Sequence, residues 1–168
     1  FMNINPVIQR IFEKRHFTPD DVKQFFSNNL HELPDLESLK DLDKASARII
    51  KAIQNNETIG VWGDYDVDGT TSCALLYHFF QMLNVTPKLF QPSRFVEGYG
   101  VHPSSIDQAV EAGIKLVINV DCGISNIETA DYAREKGVDL IITDHHKDAR
   151  EKMPEAFAVI NPNRRDEL

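Results

Sequence analysis

The chain has 168 residues, 42% of them hydrophobic and 26% charged, enough apolar content for the core of one domain, or of one domain with a small appendage. Its net charge of −8 speaks against a basic nucleic-acid coat but not against a local phosphate site, because clustered metal-binding acids inflate the negative count. No apolar run has the 18 or so residues of a membrane span. There is no signal-peptide pattern at the start. Cys73 and Cys122 form neither a disulfide framework nor a zinc spacing, so reduced thiols in a cytoplasmic protein are expected.

Residues 3–56 read as a helical lead-in, and 57–168 as a separate α/β domain. Thr18-Pro19-Asp20-Asp21 is a helix start, with a capping hydroxyl, a proline in the first turn and acids at the positive end of the dipole. Leu33-Pro34-Asp35 breaks the pattern. A second helix is predicted from Asp43 to Asn55, with Ala45, Ile49, Ile50 and Ile53 on one face. Ile59-Gly60-Val61-Trp62 is a short apolar strand. A helix over Thr70–Leu83 follows, then a strand at Lys88–Gln91 and a helix over Pro103–Ala112. Leu116–Val120 and Leu140–Thr143 are buried-type strands. The helix between them should be opened by a capping box of Ser125 and Glu128 and closed by Gly137. Ala158–Ile160 reads as a last strand. Alternating strands and helices, with strands that are apolar without alternation, predict a mostly parallel sheet with helices on both faces.

Three of these strands end in similar chemistry. One runs into Asp64-Tyr65-Asp66-Val67-Asp68-Gly69, one into Asp121-Cys122-Gly123, and one into Asp144-His145-His146. In an open parallel sheet all strand C-termini share one edge, where ligands bind. Asp66, Asp68, Asp121, Asp144, His145 and His146 should therefore converge. Carboxylates with imidazole suit Mn²⁺ or Mg²⁺. A two-ion site would relieve the mutual repulsion of the acids and suit phosphoryl displacement. Helix starts after Gly69 and Gly123 would favour a phosphate at the same place. Asp64 and Tyr65 could equally be loop residues. His102 reads as structural, His16, His31 and His78 as ordinary helix residues, and Cys122 as packing.

Two look-alikes carry less. Asp64–Gly69 matches the start of an EF-hand loop, but the twelfth position, which needs a bidentate Glu, is Leu75. That removes the calcium-binding module. Asp66-Val67-Asp68-Gly69-Thr70 also resembles the nucleophile motif of haloacid-dehalogenase-type phosphatases. In those the first Asp directly ends an apolar strand, whereas here Gly63-Asp64-Tyr65 intervenes.

The full set of motifs resembles the DHH phosphoesterase family. It comprises Gly63–Gly69, Arg94–Gly100, Asn119–Gly123, Thr143–His146 and Asn161-Pro162-Asn163. The helical lead-in and the Arg94–Gly100 loop resemble the family's single-strand-specific 5′→3′ DNA exonucleases. Carried over by position, the resemblance implies that Asp66, Asp68, Asp121 and His145 are metal ligands for Mn²⁺ or Mg²⁺, with Asp64 a further ligand or a support behind them. Asp144 would orient its motif and His146 would contact the scissile phosphate. Arg94 would bind phosphate on a loop turned by Gly98 and Gly100. Trp62 stands where some members carry a metal-binding His. The family's further metal-binding Asp and its substrate-gripping domains would follow Leu168, so the α/β domain is expected to be incomplete at its C-terminus and inactive alone. The implied function is part of a DNA repair or recombination nuclease acting on single-stranded DNA by two-metal water attack, with no membrane contact. Protein partners are not visible in the sequence. The alternative within the family is action on short oligonucleotides or cyclic dinucleotides.

Overall fold

The structure is a computed structural model that describes residues 4–32, 36–93, 95, 98, 100–147 and 152–166. It divides into two compact units, Phe1–Asp35 and Leu36–Leu168. The first holds α1 (Pro6–Lys14) and α2 (Pro19–Phe25). Thr18 caps α2 as its sequence predicts: its hydroxyl accepts from Asp21 N–H, and the Asp21 carboxylate accepts from Thr18 N–H. Phe12 gathers the rings of Phe17, Phe25 and Phe26 at centroid distances of 5.2, 5.4 and 5.8 Å. Such aromatic packing gives a short helical pair a core of its own.

The second unit contains α3 (Leu42–Gln54), β1 (Ile59–Gly63), α4 (Val67–Met82), β2 (Lys88–Phe90), α5 (Pro103–Glu111), β3 (Leu116–Val120), α6 (Ile127–Glu135), β4 (Asp139–Thr143) and β5 (Ala158–Ile160). The strands pair in the order β2-β1-β3-β4-β5, all parallel. Alternate side chains along the strands feed two separate cores. Ile59, Val61, Leu116, Ile118 and Ile141 pack with Ala45 and Ala52 of α3 and Cys73 and Phe80 of α4. Trp62, Val117, Leu140 and Ile142 pack with Ile106 and Ala109 of α5 and Ala130 and Ala133 of α6. Both faces of the sheet are therefore covered, which is why its strands read as unbroken apolar runs.

Several local expectations shift. Helix α3 belongs by its packing to the sheet unit and not to the lead-in. Its buried positions are Ala45, Arg48 and Ala52, while Ile50 points outward. Arg48 explains the change of face: Nε donates to Asp139 Oδ2 (2.5 Å) and Nη2 to Glu57 Oε2 (2.7 Å), and these charge-assisted bonds pin α3 to the start of β4 and the entry to β1. Helix α4 starts three residues before the predicted Thr70, because the Asp66 side chain accepts from Gly69 N–H and caps it. Of its apolar residues Phe80 is buried, whereas Leu75, Phe79 and Leu83 are exposed. Helix α6 has Asn126 at its N-cap position and no Ser125–Glu128 capping box. The Asn126 amide makes no capping bond and donates instead to Val101 O (2.9 Å).

Candidate metal centre

Every strand delivers a polar residue to the C-terminal edge. The order β2-β1-β3-β4-β5 reverses direction between β1 and β3, and an open α/β sheet opens a crevice there. Asp64–Gly69 leaves β1 on one side of it, and Asp121 ends β3 on the other. The β1–α4 turn is tight: a Cβ on Gly69 would collide with the backbone of Asp64, so only glycine fits. Gln91, just past β2, braces this turn by donating Nε2 to Asp64 O (3.0 Å) and to Thr70 Oγ1 (2.9 Å).

Asp121 is 7% exposed and holds left-handed backbone with φ 62°. Its N–H still donates to Thr143 O, at 2.9 Å, so the strand ladder continues to the residue whose side chain turns into the site. At Gly123 (φ 118°) a Cβ would lie 2.8 Å from the Asn119 amide nitrogen, so glycine is required there too. Asn119 is buried in β3 and donates to Cys122 O, which secures this turn.

Asp144 is a buried hub. Its Oδ1 accepts from the N–H groups of His145 (2.7 Å) and His146 (3.0 Å) and contacts His146 Nδ1 (2.7 Å), while Oδ2 accepts from Ile124 N–H (2.9 Å). Burial by itself would raise this carboxyl. The His146 and Ile124 amides and the His146 ring outweigh it and hold the group below the usual carboxylate range. The contact with Asp144 in turn raises His146 above an ordinary histidine.

His145 Nε2 lies 3.0 Å from Asp121 Oδ1. Ligand atoms of Asp121, His145 and His146 all fall within 4.8 Å of one another, close enough to hold one metal ion. The Asp66 carboxyl lies close enough to that of Asp121 for the charge of each to act on the other. Burial and then the Asp66 charge raise Asp121, while the Gly69 amide is the main influence lowering Asp66. Two carboxylates in contact suit a shared cation, since otherwise one must keep a proton.

Asp64 adds an independent sign. It is 1% exposed, and both its carboxylate oxygens are buried without a hydrogen-bond partner among the described residues. Such a group is costly unless a cation or water meets it. Asp68, in the first turn of α4, is exposed. Gly98 (φ 79°) and Gly100 (φ 85°) have left-handed backbone, and Gly100 lies against the Asn126 side chain. Arg94 lies outside the described residues. Trp62 is buried in the core and stacked on Phe90 (4.7 Å, 8°). Cys122 is fully buried and its thiol is pushed up by burial, as packing predicts. An apolar groove of about 480 Å³ between α3 and α4, floored by Ile118 and Ile141, ends at Asp121 and His145.

Gln91, Asn161 and Asn163 are contacts that residue patterns did not reveal. Gln91 looked like the end of a strand, and the two asparagines looked like a motif without a role. Hydrogen bonds to backbone carbonyls leave no periodicity in a sequence.

Fold and edge together define a doubly wound α/β domain with a cluster of carboxylate and imidazole groups at its switch point. The chain belongs to the DHH family: the family's N-terminal domain matches residues 58–167. It is 35% identical over 162 residues to the single-stranded-DNA-specific exonuclease RecJ of Bacillus subtilis, covering 96% of this chain and 20% of that protein. A crystal structure of exonuclease RecJ bound to manganese superposes with a TM-score of 0.71 at 34% identity, covering 81% of this chain and 34% of that one. RecJ from Thermus thermophilus in complex with Mn²⁺ gives 0.67 at 29% identity, over 93% and 21%. The chain therefore spans about a third or less of the length of these proteins.

Proposed function

We propose that the chain is part of a metal-dependent phosphodiesterase of the RecJ type, which removes nucleotides from the 5′ end of single-stranded DNA. The observation that carries this reading is the convergence of Asp121, His145 and His146 ligand atoms within 4.8 Å at the sheet's switch point. The Asp64 carboxylate at the end of β1, buried and without a hydrogen-bond partner among the described residues, supports a cationic occupant. Asp66, Asp121 and His145 would hold Mn²⁺ or Mg²⁺, with Asp64 and Asp68 available to a second ion. Bound divalent ions supply a water of lowered pKa and neutralise charge on the phosphate. Asp144, held ionised, accepts from Nδ1–H of His146 and favours the ring's second proton, so that the imidazolium Nε2–H would donate to a phosphate oxygen. Arg94 would be a second phosphate contact, with Gly98 and Gly100 shaping its loop.

A helical lead-in would run to residue 35 and the catalytic α/β unit would follow it. Among the described residues no helix is long and apolar enough to cross a membrane. We place the protein in the cytoplasm, in DNA repair or recombination. The test uses the longest natural polypeptide that contains these residues, assayed with Mn²⁺ on 5′-labelled single strands, duplexes and dinucleotides. Mononucleotide release from single strands, faster than from the other two, is expected. Equal or faster turnover of dinucleotides would overturn the assignment.

A further inference from the structure

The turn after β5 makes contacts that the metal-site ligands do not account for. Asn161 is fully buried; its Nδ2 donates to His146 O (2.9 Å), and its Oδ1 accepts from Asn163 N–H (2.7 Å). Asn163 in turn donates Nδ2 to His145 O (2.5 Å). Both consecutive histidines are thus gripped by their backbone carbonyls. From the other side Asp144 holds their N–H groups, at 2.7 and 3.0 Å. Between these two sets of bonds the dipeptide has little freedom to rotate, while both rings can still face Asp121.

The grip is itself anchored. Arg164 N–H donates to Asn161 O (3.1 Å). The Arg164 guanidinium bonds Asp41 Oδ2 (3.1 Å) and Val159 O, and Val159 N–H also donates to Asp41 Oδ2 (3.0 Å). Asp144 N–H donates to Ile160 O, at 3.0 Å. A three-residue strand at the edge of a sheet is ordinarily prone to fray. Here it is tied to the loop before α3.

The geometry points to Asn161 and Asn163 as positioning residues that hold the His145-His146 backbone so that the two imidazoles meet Asp121 at the metal centre. This rests on the reading of that centre as a metal site. Groups that orient metal ligands commonly contribute about ten-fold to a hundred-fold in affinity.

The test uses the 168-residue chain with Asn163→Ala, at an exposed position, and Asn161→Asp, which keeps the acceptor for Asn163 N–H but turns an oxygen toward His146 O. Ring ¹⁵N–¹H signals of His145 and His146 are read in metal-free buffer, with His102 as the reference ring, and Mn²⁺ affinity is read by calorimetry. We expect the two ring signals to move while that of His102 stays, and Mn²⁺ affinity to fall about ten-fold or more. Unmoved rings overturn the inference, as does wild-type Mn²⁺ affinity in Asn163→Ala. If the unaltered chain takes up no Mn²⁺, the metal reading fails on its own, and the ring spectra alone decide whether the asparagines position the histidines. Should Asn161→Asp fail to fold, Asn163→Ala carries the test.

Discussion

Asp121 combines a carboxylate at the candidate metal centre with left-handed backbone (φ 62°). Aspartate and asparagine tolerate that region better than other side chains. Asp121→Asn should therefore fold with unchanged or higher stability in metal-free buffer, because it removes the carboxylate facing Asp66, yet lose Mn²⁺ uptake. Urea unfolding and calorimetry check the two halves; retained uptake would remove Asp121 from the site. Asp144→Asn acts differently. An amide NH₂ would face at least one of the N–H donors now bonded to Asp144, and one such broken bond costs about 1–3 kcal/mol. Urea unfolding should show that loss even without metal. Asp121, Asp144, His145 and His146 were legible because each follows an apolar run, so strand periodicity alone placed them on one edge. Asp64 could not be ranked from sequence, since its burial depends on how tightly Gly69 packs beneath it.

Among the elements, α3 shows most plainly how a polar partner overrides an apolar pattern. Ala45, Ile49, Ile50 and Ile53 suggested one stripe, but the bonds from Arg48 to Glu57 and Asp139 rotate Ile50 outward. The strands and their order of appearance were readable because their apolar runs are bounded by glycine and acids. Helix caps were less so, since Asp66 and Asn126 compete with neighbours of equal propensity. Arg48→Lys would lose the two-pronged guanidinium and should lower stability by about 1–3 kcal/mol. Glu57 is held below the ordinary carboxylate range, mainly by its hydrogen bond to Arg48. Its contribution is present above about pH 4.3 and is lost as pH falls through the lower folded value, because there the unfolded chain binds more protons. The acid limb of a stability–pH curve should be steeper for the wild type than for Glu57→Gln, and equal slopes would discount the pair.

For the whole molecule, the separation into Phe1–Asp35 and Leu36–Leu168 predicts that residues 36–168 alone retain a cooperative thermal transition, read by circular dichroism. Cation binding should stabilise that unit by mass action, by about 2.7 kcal/mol at a hundred-fold excess over Kd, and chelation should reverse it. A melting point indifferent to Mn²⁺ would contradict the metal centre.

The sheet also has two unlike ends. At the entry to its strands Arg48 neutralises Glu57 and Asp139; at the exit Asp66 and Asp121 influence each other's charge, and histidines stand against Asp121 and Asp144. Opening fluctuations should therefore start where the strands leave the sheet. Amide hydrogens of Asp121 and Thr143 should exchange with deuterium sooner than those of Leu116 and Leu140 in the metal-free protein. A bound cation would slow the first pair far more than the second, acting as a clasp on the edge that opens first.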